Sequence, residues 1–155
     1  IADLGGFMPF DDTIFLKKKV SVLSFFTEDE LRKITSDIER NFYKNGQTIM
    51  FQGEVTRNFY VIKKGRVEVF TKKEGEKVPL GDLEAGDFFG EVSLLVPSAA
   101  IATVKALEDE TEVLKINHES FQTLLKEQPK LEKALKDRIA ERKQKKSDAI
   151  DKQGG

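Results

Sequence analysis

Apolar residues recur with two different periods along this chain, and the change of period divides it into three zones. In the first, residues 1–45, Leu31, Ile34 and Ile38 fall three and four apart, which is one face of a helix. The stretch "SFFTEDELRKI" supplies its start. Thr27 is an N-cap, Glu30 three residues on completes a capping box, and Phe26 and Leu31 stand at the staple positions. Upstream, Ile14, Phe15, Val20, Leu23 and Phe25 form an apolar segment able to pack on later strands, so the whole zone reads as helical.

The period shortens to two in residues 46–116, which read as β structure rich in turn glycines. "NFYVIKKGRVEVF" predicts two short strands around a turn at Lys63–Gly65, the first of three expected hairpins. Along the second of them Val67, Val69 and Thr71 share one face, with Glu68 and Phe70 on the other. "TKKEGEKV" is a charged, exposed hairpin tip, and "TVKALEDETEVLKI" turns at Glu108–Glu110. Short strands with no long helix between them indicate an antiparallel barrel or jelly roll.

Helical spacing returns in residues 117–146. Asn117 is a good N-cap, Phe121, Leu124 and Leu125 make a stripe, and Pro129 suits the first turn of a further helix. Leu131, Ala134, Leu135 and Ile139 continue that stripe; it suits a lid or core contact, and its length also allows a dimer seam. Beyond Arg138 the chain is almost wholly polar, and residues 147–155 are expected to be disordered. His118 is expected to be solvated in a first helical turn.

Composition removes several classes of function. The 155 residues suit one domain, and 26 basic against 27 acidic side chains leave a net charge of −1, with no general attraction to nucleic acid or anionic lipid. The basic run Arg142–Lys146 reads as a solvated helix end, interrupted by Glu141 and Asp148, so no nucleic-acid binding is expected of this piece. Without cysteine there are no disulfides or thiolate metal sites, and one histidine rules out multi-histidine sites. No base, nucleophile or metal cluster with a plausible partner is present, so an enzyme is not expected. No apolar run approaches the roughly 20 residues needed to span a bilayer. The start "IADLGGFMPF" lacks a leading Met and a signal pattern, so a cytoplasmic piece of a longer protein is expected.

The order of these elements resembles the cyclic nucleotide-binding domain family, the sensing domains of catabolite-activator-type factors, protein kinase A regulatory subunits and cyclic-nucleotide-gated channels. The matching pieces are "LSFFTEDELRKI", "NGQTIMFQGEVTRNFYVIKKGRVEVF", "LEAGDFFGEVSLL", "ATVKA" and "INHESFQTLLKEQP". The resemblance implies an α+β fold: an eight-stranded antiparallel β jelly roll with N-terminal helices and two C-terminal helices. On that pattern residues 1–13 are an extension and residues 14–146 the domain. The family's phosphate-binding cassette falls on "FFGEVSLLVPSAAIATV", where "EVSLL" can form a short helix whose free N–H groups favour an anion. Phe89 then begins the cassette, Gly90 and Ser93 line sugar and phosphate through the backbone, and Glu91 accepts from the ribose 2′-hydroxyl. Val69 and Thr71 meet the base, and Val92, Ala99, Ala100, Ile101 and Ala102 complete the implied ligand-facing set. The helix from Gln128 corresponds to a lid. No cofactor is implied; the ligand is a cyclic nucleotide or related nucleoside, and a regulated protein or output domain is the expected partner.

One position departs from the pattern. The family's arginine falls at Ala100, within "PSAAIATVKA". Lys105 cannot replace it, because in a strand through Ala102 and Val104 it points to the opposite face. A guanidinium offers a buried cyclic phosphate a planar, bidentate, charged partner. Losing one member of such a pair costs ~2–5 kcal/mol, roughly 30- to several-thousand-fold in affinity. Three readings follow: a relative that never binds cyclic nucleotides, its interior filled by its own side chains; a site for an uncharged related ligand, with Glu91 on the sugar; or cyclic AMP or GMP held by backbone donors alone. The rival class is a ligand-free interaction scaffold.

Overall fold

The structure, a computed structural model, describes the backbone of residues 9–91 and 98–154 and the side chains of residues 12–91 and 98–141. Helix α1 (Pro9–Lys19), a 3₁₀ turn (Ser21–Leu23) and α2 (Glu28–Thr35) precede the strands. These are β1 (Glu39–Tyr43), β2 (Thr48–Met50), β3 (Val55–Thr56), β4 (Asn58–Lys64), β5 (Arg66–Lys73), β6 (Glu76–Glu84), β7 (Phe88–Phe89), β8 (Ser98–Ala99), β9 (Thr103–Ala106) and β10 (Thr111–Asn117). Helices α3 (His118–Glu127) and α4 (Pro129–Gly154) follow.

The sheets explain why "FYVI" reads as an unbroken apolar run. A helix-side sheet has the order β1-β10-β4-β7, and a far sheet has the order β2-β9-β5-β6. Strand β4 lies inside the first and is buried on both faces. Phe59 and Val61 join a core with Leu16, Leu31, Phe121, Leu135 and Ile139 from the helices. Tyr60 and Ile62 point the other way, into a second core with Val67, Phe89, Val104 and Val113. The expected alternation of β5 holds: Val67 and Val69 face this inner core, whereas Glu68 binds Lys77 at 3.0 Å and Phe70 lies under the same ammonium.

The helix ends follow their caps. Thr27 Oγ1 accepts from Glu30 N–H at 3.1 Å and Glu30 Oε1 from Thr27 N–H at 2.8 Å, so both halves of the capping box form. Asn117 Oδ1 accepts from Glu119 N–H at 2.7 Å, and Pro129 opens α4 as its missing donor allows.

Several expectations are corrected. Two of the three hairpins are corners instead: β4 and β5 sit in opposite sheets, as do β9 and β10, and of the three only β5–β6 pair. Gly65 makes the first corner at φ +94°, where an added Cβ would come within 2.6 Å of Thr111 Oγ1. The β structure begins at Glu39, inside the zone read as helical. Strand β1 is a sheet edge with little burial, hence little pattern, and is held by pairing to β10 and by Arg40, which binds Glu112 and Asp12. Asp12 and Thr13, expected in an extension, are buried in α1, with Lys63 Nζ 3.2 Å from Asp12. The described residues hold ten strands rather than eight, the surplus being the separate two-residue pair β3–β8. Helix α4 runs through residues 147–154, where disorder was expected, and His118 is buried, its main-chain N–H donating to Arg57 O at 2.7 Å. Among the described residues no helix is long and apolar enough to cross a membrane.

Candidate functional site

The site begins where β7 leaves the edge of the helix-side sheet. Tyr60 and Phe89 are directly opposed in the β4–β7 ladder, and their rings stack with centroids 4.8 Å apart and planes within 7°. Gly90 follows at φ +77°. A Cβ there would lie 2.9 Å from Asn58 O and 3.2 Å from Tyr60 Cδ2, so β4 itself demands glycine. Glu91 is 2% exposed and borders a cavity of about 240 Å³ lined also by Ser21, Val22, Phe88, Arg138 and Ile139. Val92 and Ser93, with the rest of the expected helix "EVSLL" after Glu91, lie outside the described residues.

The returning segment is laced to the loop before β4. Ser98 and Ala99 pair with Thr56 and Val55. Ala100 N–H donates to Glu54 O at 2.8 Å, and Gly53 N–H donates to Ala100 O at 2.7 Å. Thr71 Oγ1 donates to Ile101 O at 3.2 Å, and Thr103 Oγ1 accepts from Gln52 N–H at 3.0 Å. The Gln52 amide also grips the Lys72 main chain, accepting from its N–H at 2.7 Å and donating to its carbonyl at 3.3 Å. These bonds leave the main chain at Ala100 little freedom to slide.

Of the expected ligand-facing residues, Phe89 belongs to the inner core, and Val69 and Ala100 pack against it. Ala102 and Thr71 are buried, the latter with its hydroxyl committed to Ile101. Ile101 is 53% exposed and Ala99 is exposed, so these two side chains stand apart from the inner core.

The electrostatics agree with the sequence pattern on one point and extend it on another. Lys105 is directly opposed to Glu68, on the outer face. Among the described residues no lysine or arginine is buried; the buried acids and histidine are Asp12, Glu91 and His118, and Tyr60 is buried as well. Tyr43 borders the inner core, where burial, and then the neighbouring Tyr60 and Glu39, push its hydroxyl above the usual tyrosine range.

A row of four residues escaped the sequence reading. Glu39, Lys115, Tyr60 and Phe89 are directly opposed, one on each strand, across the whole helix-side sheet. The face is the inner one, because Tyr60 and Phe89 belong to the inner core and Ile116 and Leu114, either side of Lys115, to the other. The period of "TEVLKIN" places Val113 and Lys115 together, which was the available signal. Lys115 Nζ lies 3.7 Å from Glu39 Oε1.

Comparison with known proteins decides the family. Residues 40–128 match the model of the cyclic nucleotide-binding domain. This chain belongs to the cyclic nucleotide-binding domain family. A cGMP-dependent protein kinase of Caenorhabditis briggsae is 37% identical over 126 residues, covering 79% of this chain and 17% of the kinase. The chain thus spans about a sixth of that relative's length. Among solved structures, the Thermus thermophilus catabolite activator protein superposes with a TM-score of 0.69 at 28% identity, covering 84% of this chain and 61% of that one. The regulatory subunit of a cAMP-independent protein kinase A from Trypanosoma cruzi, bound to guanosine, gives a TM-score of 0.66 at 25% identity, with coverage of 76% and 41%. The cyclic nucleotide-binding domain is a regulatory module; in this chain Phe89 lies in the inner core and Ala100 packs against it.

Proposed function

We propose that this domain is a non-enzymatic ligand sensor in which Ala100 occupies the place of the family's phosphate-binding arginine, so that cyclic AMP and cyclic GMP bind weakly. The observation that carries this reading is the setting of Ala100. Its methyl group packs against an apolar core, its main chain is bonded in both directions, and no lysine or arginine is buried among the described residues. A monoanion entering there gives up water without a fixed cation to replace it.

A second reading is favoured by the T. cruzi regulatory subunit, which is bound to guanosine. An uncharged nucleoside needs no guanidinium, and Glu91 supplies the acceptor for its sugar hydroxyls. Both readings share an output route. Leu135 and Ile139 of α4 are buried in the helix-side core, and Arg138 donates to Ser21 O at 2.8 Å while lying over the Phe25 ring. Because Arg138 and Ile139 share a cavity with Glu91, movement of the cassette is felt directly by α4, which passes it to a regulated protein or output domain.

The test is ligand-induced stabilisation of the unmodified chain. Guanosine, cyclic GMP and cyclic AMP are each added at millimolar concentration, since binding raises stability by RT ln(1 + [L]/Kd). A shift with guanosine that equals or exceeds those with the cyclic nucleotides is expected. Silence with all three would favour a ligand-free scaffold and overturn the sensor reading.

A further inference from the structure

The inner-face row Glu39–Lys115–Tyr60–Phe89 leads from the sheet edge at β1 to Phe89, the residue before Gly90. Two of its members, Tyr60 and Lys115, end in hydrogen-bond donors. Tyr60 is 6% exposed, yet its hydroxyl has no hydrogen-bond partner among the described residues. Buried hydroxyls nearly always find a partner, and one left without it marks a place where a further group belongs. Lys115 keeps only 27% of its side chain exposed, and its one ion pair among the described residues is a loose one, 3.7 Å long, to a Glu39 side chain that is 64% exposed. An exposed acid at that range binds weakly and can be exchanged for a better acceptor.

The two residues are neighbours by construction. Tyr60 and Lys115 are directly opposed on paired strands, where side chains on one face stand about 5 Å apart. Strands are spaced ~4.8 Å, so the two residues lie one and two strands, about 5 and 10 Å, from Phe89 at the cassette's entrance. That distance falls within the span of one nucleotide and a lysine stem. A phenol and an ammonium are both donors when protonated, and together they suit an oxygen-rich anionic group.

We propose that Lys115 and Tyr60 form an anion subsite on the inner face of the roll, which takes a phosphate oxygen of a cyclic nucleotide in place of the guanidinium that Ala100 cannot supply. The proposal rests on the sensor reading above and assigns the source of its residual affinity for a charged ligand. Lys115 gives up Glu39, whose exposed carboxylate returns to water, and Tyr60 gains the acceptor it lacks. A nucleoside without phosphate makes neither contact.

The test compares cyclic GMP with guanosine by titration calorimetry on the full chain and on two conservative variants, Lys115→Met and Tyr60→Phe, which alter neighbouring strands independently. Each variant is expected to bind cyclic GMP about tenfold or more weakly, in line with loss of one hydrogen bond to a charged group, while its guanosine affinity stays unchanged. Cyclic GMP affinities equal to the unmodified chain's, or equal losses for both ligands, would overturn the subsite. An unmodified chain that binds guanosine but no cyclic GMP would also overturn the subsite and leave the sensor reading standing. Absence of binding by either ligand would instead overturn the sensor reading itself.

Discussion

Tyr60 and Phe89 stack face to face at 4.8 Å, and the residue that follows Phe89 is a glycine pressed against the Tyr60 ring. The chain leaving β7 therefore starts from an aromatic step on β4, and the geometry at Gly90 is dictated by the sheet.

Gly90→Ala should consequently disturb both stability and the course of the chain after β7. A Cβ at φ +77° would sit 2.9 Å from the Asn58 carbonyl, and backbone has little room to give. A loss of ~1–3 kcal/mol is expected from the strained conformation alone. Urea unfolding measures it as a lower midpoint at unchanged slope.

Phe121 tests the joint between the roll and its C-terminal helices. Its ring meets Phe26 edge-on at 6.1 Å and Phe59 at 6.2 Å, and it is fully buried. Phe121→Ala should cost ~3–5 kcal/mol, because the transfer loss is joined by a cavity between three elements. Amide exchange should show α3 losing protection down to the same lowered free energy as β4, which distinguishes global loss from local fraying.

Tyr43 gives the roll an alkaline limit. Burial favours its neutral form, so its folded-state pKa exceeds the ordinary value of 10.0. The stability it contributes is complete below that ordinary value and is lost as pH rises through the raised one. Stability of the unmodified chain should fall above about pH 10. Tyr43→Phe should show a smaller decline over the same range in thermal melts.

What the sequence made legible was local. The capping box at Thr27 and Glu30, the Asn117 cap, Pro129 at the head of α4 and the alternation from Val67 to Phe70 each depend on residues a few positions apart, and each formed as expected. What it hid was partnership at a distance. Nothing local shows that β4 and β5, joined by one glycine, enter different sheets, or that the polar stretch Glu39–Tyr43 is a strand held by β10. The row from Glu39 to Phe89 needs three such long-range pairings at once. Of the candidate site, the resemblance singled out Val69, Gly90 and Ala100 as ligand-facing; Val69 and Ala100 pack against the inner core, whereas Ile101, which the same pattern included, is 53% exposed, and no local signal shows that difference.

Calorimetry of cyclic GMP against the unmodified chain and Ala100→Arg bears most directly on whether this roll lacks its anion anchor. The account predicts weak binding by the unmodified chain and a gain of roughly 30-fold or more in the variant, the affinity that a buried charged pair is worth. Tight binding by the unmodified chain, with no gain from the introduced guanidinium, would contradict it.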